Sequence, residues 1–434
     1  MALLGLLAAG CAELSYYAGS ISGHGALLAA RQPIGWLVSD PATPERLRDR
    51  LEYASSARDF ASRALGLPDN GSYRTYADLG RRHVAWAVVA TPEFSLTPRS
   101  WCFPVAGCVA YRGYFEEAEA LRFAEGLRAG GQDVHVGGVA AYSTLGWFDD
   151  PLPSGVVEWP DAELAGLIFH ELAHQVAYVR DDTAFNEAFA VTVEEEGVRR
   201  WLAARGAGDA VRAFEQSRER RRAFLGEVFA ARGRLAGVYA SGAPPEAMRR
   251  EKAAVFADLH AACGRLALTE WERARYRRWC SEAPNNARVA AISTYHELVP
   301  AFRALLERQG GDLPAFYRAV RELARLPREE RRVRLVGDGA VLLHRGERQA
   351  HPAAVVGHVG LEPLHERLVA QAGVETGRVV EPGGGALALG LVEEDGGGDR
   401  DVERRDHARE RDEHGRVGQR QGLLAHPQEL GAEQ

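Results

Sequence analysis

Lysine is almost missing from this sequence: Lys252 is the single one among 53 basic residues, and arginine supplies the rest. With a net charge of −7, mildly acidic, nothing in the composition asks for nucleic acid as a partner. The arginine bias is read as a property of genome composition rather than of function. Apolar runs long enough to cross a bilayer as a helix, about 20 residues, are also missing. Aromatic residues stop at Tyr317. Beyond that point the chain is dominated by Gly, Arg, Glu, Val, Ala and His, and stretches such as 400–416 have almost no apolar content and cannot bury a core. Residues 326–434 therefore read as a disordered, poorly packed or frame-shifted tail, and its seven histidines are left out of any site.

The rest of the chain is ample for a folded enzyme. The chain is 46% hydrophobic over 434 residues, enough for one large or two medium domains. It opens with a short apolar run ending in small residues before Cys11, the pattern that ends a bacterial lipoprotein signal. Residues 1–11 are accordingly expected to be a signal remnant. Cys11 would then be lipidated and tether an exported protein to the periplasmic face of the cell envelope, as an outer-membrane lipoprotein. In such a compartment Cys102 could pair with Cys108 across Phe-Pro-Val-Ala-Gly, and Cys263 with Cys280. Four free buried thiols are the alternative.

The segment that names a chemistry is 167–196, LIFHELAHQVAYVRDDTAFNEAFAVTVEEE, with His170, Glu171 and His174 in the spacing H-E-x-x-H. On a helix, residues four apart share a face, so both imidazoles can meet one cation. Glu171, about 100° around, can reach a water at that cation without being a ligand, which makes it the candidate base. A catalytic zinc needs a third ligand, and Glu187 is the candidate, with Glu194, Glu195 and Glu196 as competitors. A first helix ending near Val179 and a second starting near Thr183 would form an antiparallel pair with His174 and Glu187 at similar height. Two histidines and a glutamate inside so apolar a helix would be costly to bury without a metal or partners.

Around this pair the chain changes character. Residues 84–90, 108–115 and 134–139 read as strands, with a helix at 116–128 between the last two. The segment 142–148 is nominated as an edge strand that could pair with an extended peptide. Upstream, helices are expected at 15–31 and from an N-cap at Thr43 with Pro44 at N1 through Leu65. Beyond Glu196 helical periodicity continues through 211–232, 245–266 and 271–279. Arg288, Tyr295 and His296 are candidates for the donor that stabilises an oxyanion. Glu194, Glu195, Asp149 and Asp150 are available to hold a substrate ammonium, and nothing in the sequence selects among them. The expected fold is α+β and mostly helical. A sheet-containing part at 70–150, zinc helices within 161–204 and a helical part at 205–325 would together form a metallopeptidase domain of residues 12–325.

Several long strings carry a family resemblance: Leu67-Pro-Asp-Asn-Gly-Ser-Tyr73, Trp101-Cys-Phe-Pro-Val-Ala-Gly-Cys108 running to Phe115, Ala141-Tyr-Ser-Thr-Leu-Gly-Trp-Phe-Asp-Asp-Pro151, Phe169-His-Glu-Leu-Ala-His174, Thr183-Ala-Phe-Asn-Glu187, and Asn285-Asn-Ala-Arg288 with Tyr295-His296. Through them, residues 11–323 resemble the putative aminopeptidase family of Gram-negative bacteria, zinc peptidases often found as lipoproteins. The resemblance implies a gluzincin-like arrangement around one Zn2+ held by His170, His174 and Glu187, with Glu171 as base and peptides as substrates. Endopeptidase action at the same site, or a non-catalytic zinc-containing envelope lipoprotein, are the rival expectations. Nothing in the sequence speaks to oligomeric state.

Overall fold

A computed structural model describes residues 2–337 other than 104–106, 142–143, 266–278 and 280–282, with side chains from residue 14 onward. The architecture is α+β and mostly helical, with small sheets of two or three strands. In order come α1 (Ala2–Ala29), β1 (Arg31–Pro33), α2 (Ile34–Ser39), α3 (Glu45–Leu65), β2 (Thr75–Ala77), β3 (Ala85–Pro92), β4 (Trp101–Phe103), β5 (Gly107–Val109), β6 (Arg112–Tyr114), α4 (Glu117–Ala129), β7 (Gln132–Val139), β8 (Leu152–Pro153) and α5 (Ser154–Val157). Helices then succeed one another: α6 (Asp161–His174), α7 (Thr183–Ala204), α8 (Gly208–Ala240), α9 (Pro245–Arg265), α10 (Asn286–His296), α11 (Val299–Arg308), α12 (Leu313–Ala324) and α13 (Arg328–Gly337). No described helix is long and apolar enough to cross a membrane.

The central strand β3 pairs antiparallel with β6 on one side and β7 on the other. Its residues are apolar almost without a break because both faces are covered. Ala85, Ala87 and Val89 pack towards Leu27 of α1 and towards Ala287, Ala291 and Tyr295 of α10, while Val88 and Ala90 pack towards Ala120 and Ala124 of α4. The 108–115 stretch, expected as one strand, is divided into β5 and β6. β5 pairs with β4 in a hairpin closed by the Cys102–Cys108 disulfide, the two cysteines being directly opposite. Cys263 is also disulfide-bonded, and its expected partner Cys280 lies outside the described residues.

Two local expectations need correction. Helix α3 is capped by Pro44 rather than by the Thr43 side chain, and Thr43 is buried. Residues 144–148 form a turn rather than an edge strand; 142–143 lie outside the described residues. The Thr144 hydroxyl accepts from Phe148 N–H at 3.1 Å and the Thr144 carbonyl from Trp147 N–H at 3.1 Å. Leu145 and Gly146, at φ 58° and 83°, turn the chain out of the extended region that a strand requires.

The largest apolar core surrounds the pair α6 and α7, which also packs on α3, α11 and α12. Close approach of the two helices depends on small residues. A Cβ on Gly197 would lie 2.8 Å from Phe169 and 2.9 Å from Leu65, so no larger residue fits without displacing the pair. The start of α7 is fixed from afar. Asp182 caps it by accepting from Phe185 N–H, and its second oxygen takes Arg331 Nε at 3.0 Å and an Arg331 terminal nitrogen at 2.7 Å. Both side chains are buried, at 1% and 4% exposure. Helix α13, which supplies Arg331 and the buried Leu335, lies past the expected end of the domain at 325.

Removing one partner of such a pair leaves a buried charge uncompensated, at a cost of about 3–5 kcal/mol. Arg331→Ala should therefore lower the midpoint of urea unfolding sharply, and a variant with wild-type stability would show that the pair is not buried in solution.

Candidate metal centre

Helix α6 is buried from Leu164 to His174, which forces its polar side chains to find partners inside the protein. His170, Glu171 and His174 are 2%, 0% and 3% exposed, and Glu187 of α7 is 4% exposed. His170 Nε2 lies 3.3 Å and His174 Nε2 3.6 Å from the same atom, Glu187 Oε2. The two rings are 4.9 Å apart and nearly perpendicular. His170, His174 and Glu187 are the group that could hold a metal ion among the described residues, with all ligand atoms within 4.8 Å of one another.

The helix ends differ from those expected. Helix α6 stops at His174 rather than near Val179, and residues 175–182 make the connection. Asn186 explains why the pair still closes: its side chain accepts from Val179 N–H at 2.7 Å and donates to the Val179 carbonyl at 2.8 Å. The connection is thereby tied to the residue next to Glu187. At its far end Cys108 N–H, in the disulfide hairpin, donates to Asp181 at 2.5 Å.

These side chains fit a cation. Ligands at about 2.0–2.1 Å in tetrahedral array lie about 3.3 Å from each other, and the observed 3.3 and 3.6 Å agree with that edge. His174 Nδ1 has no hydrogen-bond partner, and its Nε2 has only Glu187 at 3.6 Å, beyond hydrogen-bond length. Both carboxylate oxygens of Glu171 are buried and unpartnered. Buried polar atoms left in this state are costly unless something else satisfies them.

Without an ion the centre is a buried salt cluster. Burial alone would lower the His170 pKa, but Glu187 and Glu194 at its two ring nitrogens outweigh burial and raise it to about 10. Burial would raise Glu187, and the two histidines outweigh it, lowering the carboxyl to about 2. Glu171 is raised, chiefly by burial.

The competing glutamates separate by direction. Glu194 falls outside the group that could hold an ion: its Oε2 accepts from His170 Nδ1 at 3.0 Å, which turns Nε2 towards Glu187. Glu195 is held by Arg218 at 2.8 Å and by Arg303, and Glu196 by Arg199 and Arg200. Of the oxyanion candidates, Tyr295 shares a helix face with Ala287 and Ala291 in the core beneath the sheet. Arg288 is buried with its guanidinium over the Trp279 ring at 5.0 Å. His296 is on the last turn of the same helix and does not belong to the metal-holding group. A residue missed in the sequence is Tyr178, on the connection between the two ligand helices. Burial, followed by the charges of Glu187 and Asp181, raises its phenol to about 12. Only its place four residues after His174 could have pointed to it.

A family model described as Putative aminopeptidase matches residues 15–335. The chain belongs to that family. The matched stretch contains all four residues of the centre and reaches α13 with Arg331, ten residues past the expected boundary. No curated protein and no solved structure matches the chain.

If Glu194 orients His170, Glu194→Gln should weaken divalent-metal binding about 10- to 100-fold while leaving the fold intact. Competition with a chromophoric chelator measures this, and an unchanged affinity would remove Glu194 from the centre.

Proposed function

We propose that the protein is a zinc-dependent aminopeptidase acting on peptides in the cell envelope. The observation that carries this reading is the meeting of His170, His174 and Glu187 around one point beside the unpartnered carboxylate of Glu171. A zinc ion held by those three ligands would act as a Lewis acid towards the scissile carbonyl and lower the pKa of a nearby water.

The chain's own residues then divide the work. Glu171 accepts a proton from the attacking water and passes it to the leaving amine. Its two buried, unpartnered carboxylate oxygens are available to take that proton and to give it back. Glu194 fixes the ring of His170. For the oxyanion, Tyr295 and His296 remain the donors suggested by the sequence, and Tyr178 joins them because it lies within the electrostatic reach of Glu187. A purely structural zinc site has no use for an unpartnered Glu171, which weighs against a non-catalytic role.

The envelope location belongs to the same proposal. Support comes from the Cys102–Cys108 disulfide and a bonded Cys263, which need an oxidising compartment, and from the apolar run before Cys11. Incorporation of labelled fatty acid should be lost in Cys11→Ser; labelling that persists would sink the lipid anchor.

For the chemistry, Glu171→Gln should keep stoichiometric zinc by elemental analysis and lose about 10²–10⁴-fold in kcat/KM. A fully active Gln variant would rule out Glu171 as the base. Wild-type cleavage of N-acetylated peptides at the same rate as free ones would replace the aminopeptidase reading with an endopeptidase one.

A further inference from the structure

Two loops, at 67–73 and 144–151, meet beside the end of α6, and neither has a part in the chemistry above. Arg58, fully buried, holds the first loop through the carbonyls of Ser72 at 2.8 Å, Pro68 at 2.9 Å and Asn70 at 3.0 Å. Gly71 faces the second loop so closely that a Cβ there would lie 2.3 Å from the carboxyl carbon of Asp149. Tyr73 N–H donates to the Asp150 carbonyl at 2.6 Å. The first loop holds Gln175, which directly follows His174, and the second passes close beside it. Asn70 Nδ2 donates to its oxygen at 2.7 Å, its nitrogen donates to Ser72 Oγ at 3.1 Å, and a Cβ on Gly146 would lie 3.4 Å from that oxygen.

This arrangement fixes one acidic side chain that has no evident use. Asp150 is 2% exposed; Oδ2 accepts from Thr144 N–H at 2.8 Å, and Oδ1 is buried with no partner. Among the described acids, Asp150 and Glu171 are the two with such an oxygen. The other anions that could hold an ammonium are committed or open to solvent. Glu194 is on His170, Glu195 is neutralised by two arginines, and Asp149 is exposed.

We propose that Asp150 receives the free α-ammonium of the substrate and is the residue that makes the site select unblocked N-termini, an inference that rests on the aminopeptidase reading. A buried carboxylate oxygen with a free lone pair offers an ammonium a charge-assisted hydrogen bond, and an acetylated nitrogen cannot return it. Burial, then the charges of Glu171 and Asp149 acting against hydrogen bonds from Thr144, raises the Asp150 carboxyl to about 7. Through Tyr73, Asp150 is tied to the loop whose Asn70 and Ser72 hold Gln175, the residue that follows His174. Trp147 and Phe148, 36% and 47% exposed on the same loop, offer apolar surface for the side chain of the first residue.

The test measures binding rather than turnover. In the full-length, zinc-loaded Glu171→Gln protein, calorimetric titration with an unblocked leucine dipeptide amide and its N-acetyl counterpart should give a preference for the free amine on the order of 100-fold. Adding Asp150→Asn, which still accepts from Thr144 N–H, should abolish the preference by weakening only the free peptide, with circular dichroism and zinc content unchanged. A preference that survives the substitution, an equal weakening of both peptides, or no preference at all would overturn the proposal. Amine-selective binding by a wild-type protein that hydrolyses neither peptide would sink the peptidase reading and leave the Asp150 assignment standing.

Discussion

Two imidazoles and two carboxylates buried in one helix pair are the constraint on which the rest of this structure depends. Burial penalises each of these polar groups, so the four must satisfy one another at short range or gather round a cation. The apolar surroundings that impose the penalty also enforce the geometry, since His170, His174, Glu171 and Glu187 are all nearly closed off from solvent. Packing at Gly197, the Asn186 clamp on Val179 and the Asp182–Arg331 pair all hold α6 and α7 at the separation this requires.

The helices outside the pair supply the means. Helix α10 carries one face to the sheet and another, through Val289 and Ile292, to the core of α8 and α9. Arg218 on α8 and Arg303 on α11 neutralise Glu195, so the charge directly after Glu194 does not disturb the centre. Acidic residues at successive positions thus serve three different neighbours, because adjacent residues on a helix point about 100° apart.

Much of this was legible in the sequence, and the remainder was hidden for identifiable reasons. The H-E-x-x-H spacing and the apolar residues around it are local, so His170, Glu171 and His174 could be read directly, and the hairpin distance brought Glu187 with them. The role of Glu194 was not legible, because a ligand and the carboxylate that orients a ligand differ by a few ångströms across two helices rather than by spacing. Periodicity carried α6 on to Val179, whereas the structure ends it at His174 and spends the next residues on side-chain to backbone bonds. The segment 144–148 has strand-forming residues, but the Thr144 hydroxyl and two positive φ angles make it a turn. Arg331 sits where aromatic content has already run out, and its partner is 149 residues away, so composition pointed to a tail where there is still core.

That last separation also bears on how the protein is made. Chain leaves the ribosome at about 5–20 residues per second, so the α7 cap at Asp182 is finished on the order of ten seconds before Arg331 emerges. During that interval the hairpin lacks the cation that neutralises its cap. Translation that stops short of α13 would yield a chain that carries every candidate ligand and lacks the arginine that pins the start of α7.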